Sequence, residues 1–127
     1  MMDIEHHHQA HLITWATFKA KTEFPCLDTI YAIPNGGNRN IVTATKLKRE
    51  GVKRGVPDLH LPVARHGFHS LYIEMKKPAL KPKRGGKGGV SADQEDWHKR
   101  LRREGNKVAV CYSADEGKRV IEDYLKS

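Results

Sequence analysis

The chain has 127 residues, 38% of them hydrophobic and 7% aromatic, with 23 Lys and Arg against 15 Asp and Glu for a net charge of +8. That length suits one globular domain over 1–127, able to bury roughly two thirds of the surface its unfolded chain exposes, and recurring apolar runs exclude a disordered chain. The longest apolar run falls far short of the roughly 18 residues that cross a bilayer, so no membrane span is expected, and no secretory signal precedes the domain.

In chain order, residues 3–20 predict a helix with Ile4, His8, His11, Leu12, Trp15 and Phe18 as its 3.6-period stripe. Residues 28–33 read as a strand that runs into the loop Pro34-Asn35-Gly36-Gly37. A short basic helix follows over 41–50, with Gly51 placed to close it. Strands are predicted at 58–63 and 70–76, around Arg65-His66-Gly67. A helix from Ser91 stops at Gly105-Asn106, a strand covers 107–112, and a last helix starts at Ser113. There Ser113 and Glu116 have capping-box spacing, and Val120, Ile121, Tyr124 and Leu125 form the buried face. The order αβαββαβα implies an α/β fold, a small mixed sheet flanked by helices.

Cys26 and Cys111 form neither a disulfide framework nor a zinc spacing, so a reduced, cytoplasmic setting is expected. Any metal must then be held by oxygen ligands or histidine. The charge is concentrated: residues 46–57 carry Lys46, Lys48, Arg49, Lys53 and Arg54 against Glu50, a net +4. Residues 76–90 carry Lys76, Lys77, Lys81, Lys83, Arg84 and Lys87 with no acid, a net +6, which leaves the rest of the chain at −2. A nucleic acid bound along two stripes accounts for this segregation; the alternative is two solvated loops.

The register of the 58–63 and 70–76 hairpin is argued from the turn, and hydrophobic pairing chooses between two turns. A three-residue loop, Arg65-His66-Gly67, with Gly67 in the left-handed position sets Leu59 opposite Ile73 and Leu61 opposite Leu71. A two-residue turn at His66-Gly67 would shift the register by one and bring Glu74 to the core face, which burial of a carboxylate disfavours. Asp58 and Glu74 are thus expected side by side, with Lys76 on the same face. Two adjacent carboxylates repel unless a cation lies between them, and oxygen ligands suit Mg²⁺ or Mn²⁺. A lysine one strand step away can assist an attacking water and offset charge growing on a phosphate, the chemistry of phosphodiester hydrolysis.

Gly55-Val56-Pro57-Asp58 followed by Tyr72-Ile73-Glu74-Met75-Lys76 resembles the PD-(D/E)XK nuclease signature. More narrowly, with Ile4-Glu5, Gln9 and Trp15, Ile33 to Gly37, Gln94-x-x-Trp97, Leu101, Gly105 and Val108 to Cys111, the whole chain resembles the virus-type replication-repair nuclease (VRR-NUC) domain of phages and bacteria. The resemblance implies a restriction-endonuclease-like core and a divalent-metal-dependent nuclease. Asp58, Glu74 and Lys76 would be its catalytic residues, with the Met75 carbonyl and Glu5 as further metal ligands and Gln94 near the site. It also implies a homodimer, with branched DNA such as four-way junctions as substrate.

Some of these residues carry a second reading. Ser91-x-x-Gln94 is itself a capping box, so Gln94 serves structure, site or both. Trp97 is assigned to the core with Leu101. Small residues and Arg39 in the 35–39 loop would suit close approach to a phosphate. The Gly- and Pro-rich 77–90 segment reads as mobile until it orders over substrate or a partner subunit. The basic segments are expected to grip the DNA backbone through Arg39, Lys46, Lys48, Arg49, Lys53, Arg54, Lys77, Lys81, Lys83, Arg84 and Lys87, with little sequence preference. Two other readings stand beside the nuclease: a nucleic-acid binder that keeps the fold without cleaving, and a purely structural interaction module.

Overall fold

A computed structural model describes residues 4–34, 41–83 and 85–126. Helix α1 (Ile4–Thr22) leads to strand β1 (Tyr31–Ala32), helix α2 (Ile41–Arg49), the hairpin β2 (Leu59–Leu61) and β3 (Leu71–Met75), helix α3 (Ala92–Arg103), strand β4 (Lys107–Cys111) and helix α4 (Ala114–Leu125). This is the predicted order. The strands form one sheet in the order β1-β2-β3-β4, antiparallel except for the parallel β3–β4 pair, whose crossover is α3.

Strand alternation divides the sheet into two faces. Leu59, Leu61, Leu71, Ile73, Met75 and Cys111 bury against Leu12 and Ala16 of α1 and Ile121, Tyr124 and Leu125 of α4. Each fully buried aliphatic side chain of this kind contributes on the order of 1.5–3 kcal/mol. The opposite face carries Asp58, His60, Tyr72 and Glu74, and α3 lies over its β3–β4 half.

The predicted stripe of α1 is corrected. Leu12 and Ala16 are its buried residues, flanked by Ile13, Trp15 and Ala20, while Phe18 is 61% exposed. At 100° per residue, Phe18 lies far around the helix from Leu12, whereas Ala16 sits almost above it. The predicted 28–33 strand shortens to Tyr31–Ala32, because Pro25 starts a 3-10 turn, Pro25–Thr29, that buries Leu27.

The hairpin register is as expected, with Leu59 opposite Ile73, His60 opposite Tyr72 and Leu61 opposite Leu71. The loop is not. His66 and Gly67 both have positive φ, 53° and 84°, and form a two-residue turn closed by an Arg65–Phe68 bridge. Residues 62–64 on the first arm then oppose only 69–70 on the second, and this extra residue restores the register that buries the leucines. Val63 is buried at the bulge, and its carbonyl accepts a 2.6 Å hydrogen bond from the Tyr124 hydroxyl. Core packing set the strand register, and the local turn adjusted to it.

Candidate active site

Asp58 enters the sheet from the turn Gly55-Val56-Pro57. Gly55 adopts φ +89°, and a Cβ there would lie 2.9 Å from the backbone carbonyl of Asp93. The turn is therefore seated against the first turn of α3, which only glycine permits. Pro57 is fully buried behind it. The amide of Ile33 donates to the Asp58 carbonyl at 2.8 Å, and the Met75 amide donates to Asp58 Oδ2 at 2.6 Å. These contacts fix the carboxylate at the end of the sheet, beside Glu74.

Glu74 is 1% exposed and Lys76 is buried on the same face. A buried carboxylate needs donors. Gln94 Nε2 lies 3.4 Å from Glu74 Oε2, and His98 Nε2 lies 3.3 Å from Glu74 Oε1. Gln94 also completes the capping box: its amide donates to Ser91 Oγ at 3.2 Å and its Oε1 accepts from the Ser91 amide at 2.9 Å. Both readings of Gln94 therefore hold at once. The start of α3 and the position of Glu74 are tied through one side chain.

The titration behaviour reflects the crowding. Burial, then the adjacent Glu74 charge and a hydrogen bond shared with that carboxyl, push Asp58 up to about 7, against the smaller opposing effects of the Met75 amide and Lys76. Near neutral pH Asp58 thus holds its proton about half of the time, and Gln94 and His98 are placed to donate to Glu74. Burial, Arg102 and Lys76 hold His98 below the usual imidazole range. Its contact with Glu74 is a hydrogen bond from a neutral ring with the proton on Nε2.

Two hard oxygen donors forced together, one of them pushed toward its protonated form by burial and by the other, fit a hard divalent cation, which would replace the proton. Among the described residues no group of three or more His, Cys, Asp or Glu forms a metal cluster. The side chain of Glu5, expected as a further ligand, lies outside the described residues, as do residues 35–40 with Arg39, and Arg84.

His98 was not among the residues picked out from the sequence. Its signal was available: it lies four residues after Gln94, one helical turn along the same face. Trp97 is corrected from core to cleft. It is half-buried, lines a cleft with Ile33, Pro34, Val52, Lys53 and Val56, and carries the Arg100 guanidinium 4.3 Å above its ring.

The basic segments are exposed where described: Lys46, Lys48 and Arg49 on α2, Lys53 and Arg54 before the Gly55-Val56-Pro57 turn, and Lys77, Lys81, Lys83 and Lys87 after β3. The 77–90 segment, expected to be mobile, has defined anchors. The Tyr112 hydroxyl donates to the Gly88 carbonyl at 3.0 Å, Lys81 pairs with Glu116 at 2.6 Å, and Lys87 pairs with Glu95 at 3.7 Å. Glu116 does not complete the capping box predicted with Ser113. Its Oε1 accepts instead from the Tyr112 amide, although Ser113 Oγ does accept from the Glu116 amide.

A model of the VRR-NUC domain family matches residues 2–115. The fold is similar to a solved structure of a VRR-NUC domain protein, with a TM-score of 0.75 and 29% sequence identity over 98% of this chain and 90% of that one. No curated protein matches the chain. Among the described residues no helix is long and apolar enough to cross a membrane.

Proposed function

Because the chain belongs to the VRR-NUC domain family, a family of nucleases, we propose that it is a Mg²⁺- or Mn²⁺-dependent DNA endonuclease, a homodimer that acts on branched DNA such as four-way junctions. The observation that carries the reading is the pairing of half-buried Asp58 with fully buried Glu74, with Lys76 on the same face and Asp58 pushed up to about 7.

In this reading Asp58, Glu74, the Met75 carbonyl and Glu5 hold the cation, which when bound supplies Lewis-acid activation of water and phosphate. The Met75 amide keeps the Asp58 oxygens aimed at the site, and Gln94 and His98 donate to Glu74 and fix its direction. The Lys76 ammonium orients the attacking water and offsets charge that grows on the phosphate oxygens. The exposed lysines and arginines of the two basic segments contact the backbone, which gives affinity with little sequence preference.

The test is cleavage of linear duplex, single strand, flap and four-way junction by the purified protein with Mg²⁺, Mn²⁺ or EDTA. Cleavage is expected only with metal and fastest on branched substrates, with Lys76→Ala and Asp58→Ala reduced by about 10²-fold or more. Cutting in EDTA, or variants as active as the parent, would overturn the mechanism. Binding without cutting under either metal would favour a non-cleaving binder.

A further inference from the structure

The catalytic face carries a second row of side chains beside the carboxylates. Strand register aligns Tyr31, His60 and Tyr72 across β1, β2 and β3. Asp58 and Glu74 form the adjacent row, two residues along each strand, or about 7 Å away. The His60 ring stacks on Tyr72 with centroids 4.2 Å apart and planes 14° apart, and Tyr31 meets His60 edge-on at 5.3 Å. While α3 covers the β3–β4 half of this face, Tyr31 on the other side is 48% exposed.

Tyr31 is held in place by hydrogen bonds that all run one way. Asn106 Nδ2 donates to the Leu101 carbonyl, which turns its Oδ1 to the Ser70 hydroxyl, 2.7 Å away. Ser70 spends its only proton there, so it accepts from His60 Nε2 at 3.0 Å. The other ring nitrogen, Nδ1, is then an acceptor and takes the Tyr31 hydroxyl proton at 2.7 Å. An aromatic ring that is both exposed and anchored through its hydroxyl has lost its rotamer freedom before any ligand arrives, which favours stacking.

We propose that Tyr31 is a stacking platform for an unpaired base of the bound strand, next to the phosphate that lies at the Asp58–Glu74 site. The inference rests on the nuclease reading and narrows its substrates to DNA with unpaired bases beside the cut. A paired base keeps its faces inside the duplex, whereas an unpaired one gains a partner on the ring, and the separation of the two rows is one that a single nucleotide spans.

The experiment measures binding in EDTA, without turnover, of a labelled single strand, a gapped duplex and a continuous duplex by wild type, Tyr31→Ala and Tyr31→Phe. Tyr31→Ala is expected to weaken binding to the first two about five- to hundredfold, the range for one stacked base, and to leave the continuous duplex within twofold. Tyr31→Phe, which keeps the ring, should stay within about threefold of wild type for all three. Independently of any variant, moving a single abasic site along the strand should reproduce the loss at one position, with no further loss in Tyr31→Ala. Equal binding by Tyr31→Ala, an equal loss on continuous duplex, or no sensitive abasic position overturns the inference while leaving the nuclease reading intact. So does a change in oligomeric state alone, which would assign the ring to a second copy of the chain. A wild-type protein that binds none of the three substrates overturns the inference, and one that also cuts no DNA with Mg²⁺ or Mn²⁺ overturns both.

Discussion

His98 and Glu74 meet inside the protein: the imidazole Nε2 lies 3.3 Å from the Oε1 of a carboxylate that is 1% exposed, and the ring itself is 4% exposed. This contact joins the middle of α3 to the end of β3, and it points a site carboxylate from behind. His98→Ala removes one donor from a buried charge. The expected loss is about 1–3 kcal/mol of stability and about 10–100-fold in metal affinity. His98→Gln, which retains an N–H donor, should recover part of both. Denaturant unfolding and Mn²⁺ titration check this, and unchanged metal affinity in His98→Ala would refute a positioning role.

Asp58 makes stability fall as pH rises. Its folded value, about 7, lies above the ordinary carboxyl value of 3.8. Between these values the unfolded chain releases the proton while the folded protein keeps it, so the favourable contribution is complete below pH 3.8 and lost as pH passes 7. For the metal-free protein the change is of order a few kcal/mol. Asp58→Asn should flatten this part of the profile and be more stable than wild type at alkaline pH without metal, although inactive. Melting curves in EDTA over this range test it; parallel profiles would show that Asp58 is not the group that titrates.

Gly55→Ala should displace the turn that carries Asp58. The residue needs φ +89°, and the new methyl would meet the Asp93 backbone at 2.9 Å. A cost of about 2 kcal/mol or more is expected, with lost activity, since Asp58 follows three residues later. Thermal unfolding beside a cleavage assay checks both halves, and a variant as stable and active as wild type would contradict the close packing.

Among the described residues, the basic segment after β3 divides into lysines that form ion pairs and lysines for which no ion pair is seen. Lys81 and Lys87 are already engaged by Glu116 and Glu95. Lys77 and Lys83 are exposed. Replacing Lys77 and Lys83 together by Gln should lower the slope of log K against log salt by about 0.9 per lost phosphate contact, more than the same change at Lys81 and Lys87. Binding to every DNA shape should weaken alike. Equal slopes for the two double variants would mean that the ion pairs open on binding.

Much of the site was legible in the chain because it depends on alternation and hydrophobic pairing. The leucines and Ile73 could be buried together in only one of the two registers weighed, and that register put Asp58 beside Glu74 even though the turn it was argued from differs. The turn itself was misread, since a bulge at 62–64 can supply one residue without changing which side chains are buried. Trp97 was misplaced for a related reason: helical spacing tells which residues share a face but not whether that face meets the core or the edge of a cleft.

The sequence by itself determined the order of elements, the paired carboxylates with their lysine, and the concentration of positive charge, all of which follow from local periodicity and composition. Only the tertiary structure decided what surrounds them. That His98 and Gln94 reach across to Glu74, that Gly55 seats its turn on α3, and that Tyr31 is fixed through His60, Ser70 and Asn106 depend on contacts between residues distant in the chain. No periodicity encodes such contacts. They arise when the sheet's apolar face is buried and its polar groups must find donors and acceptors among whatever the helices bring against them.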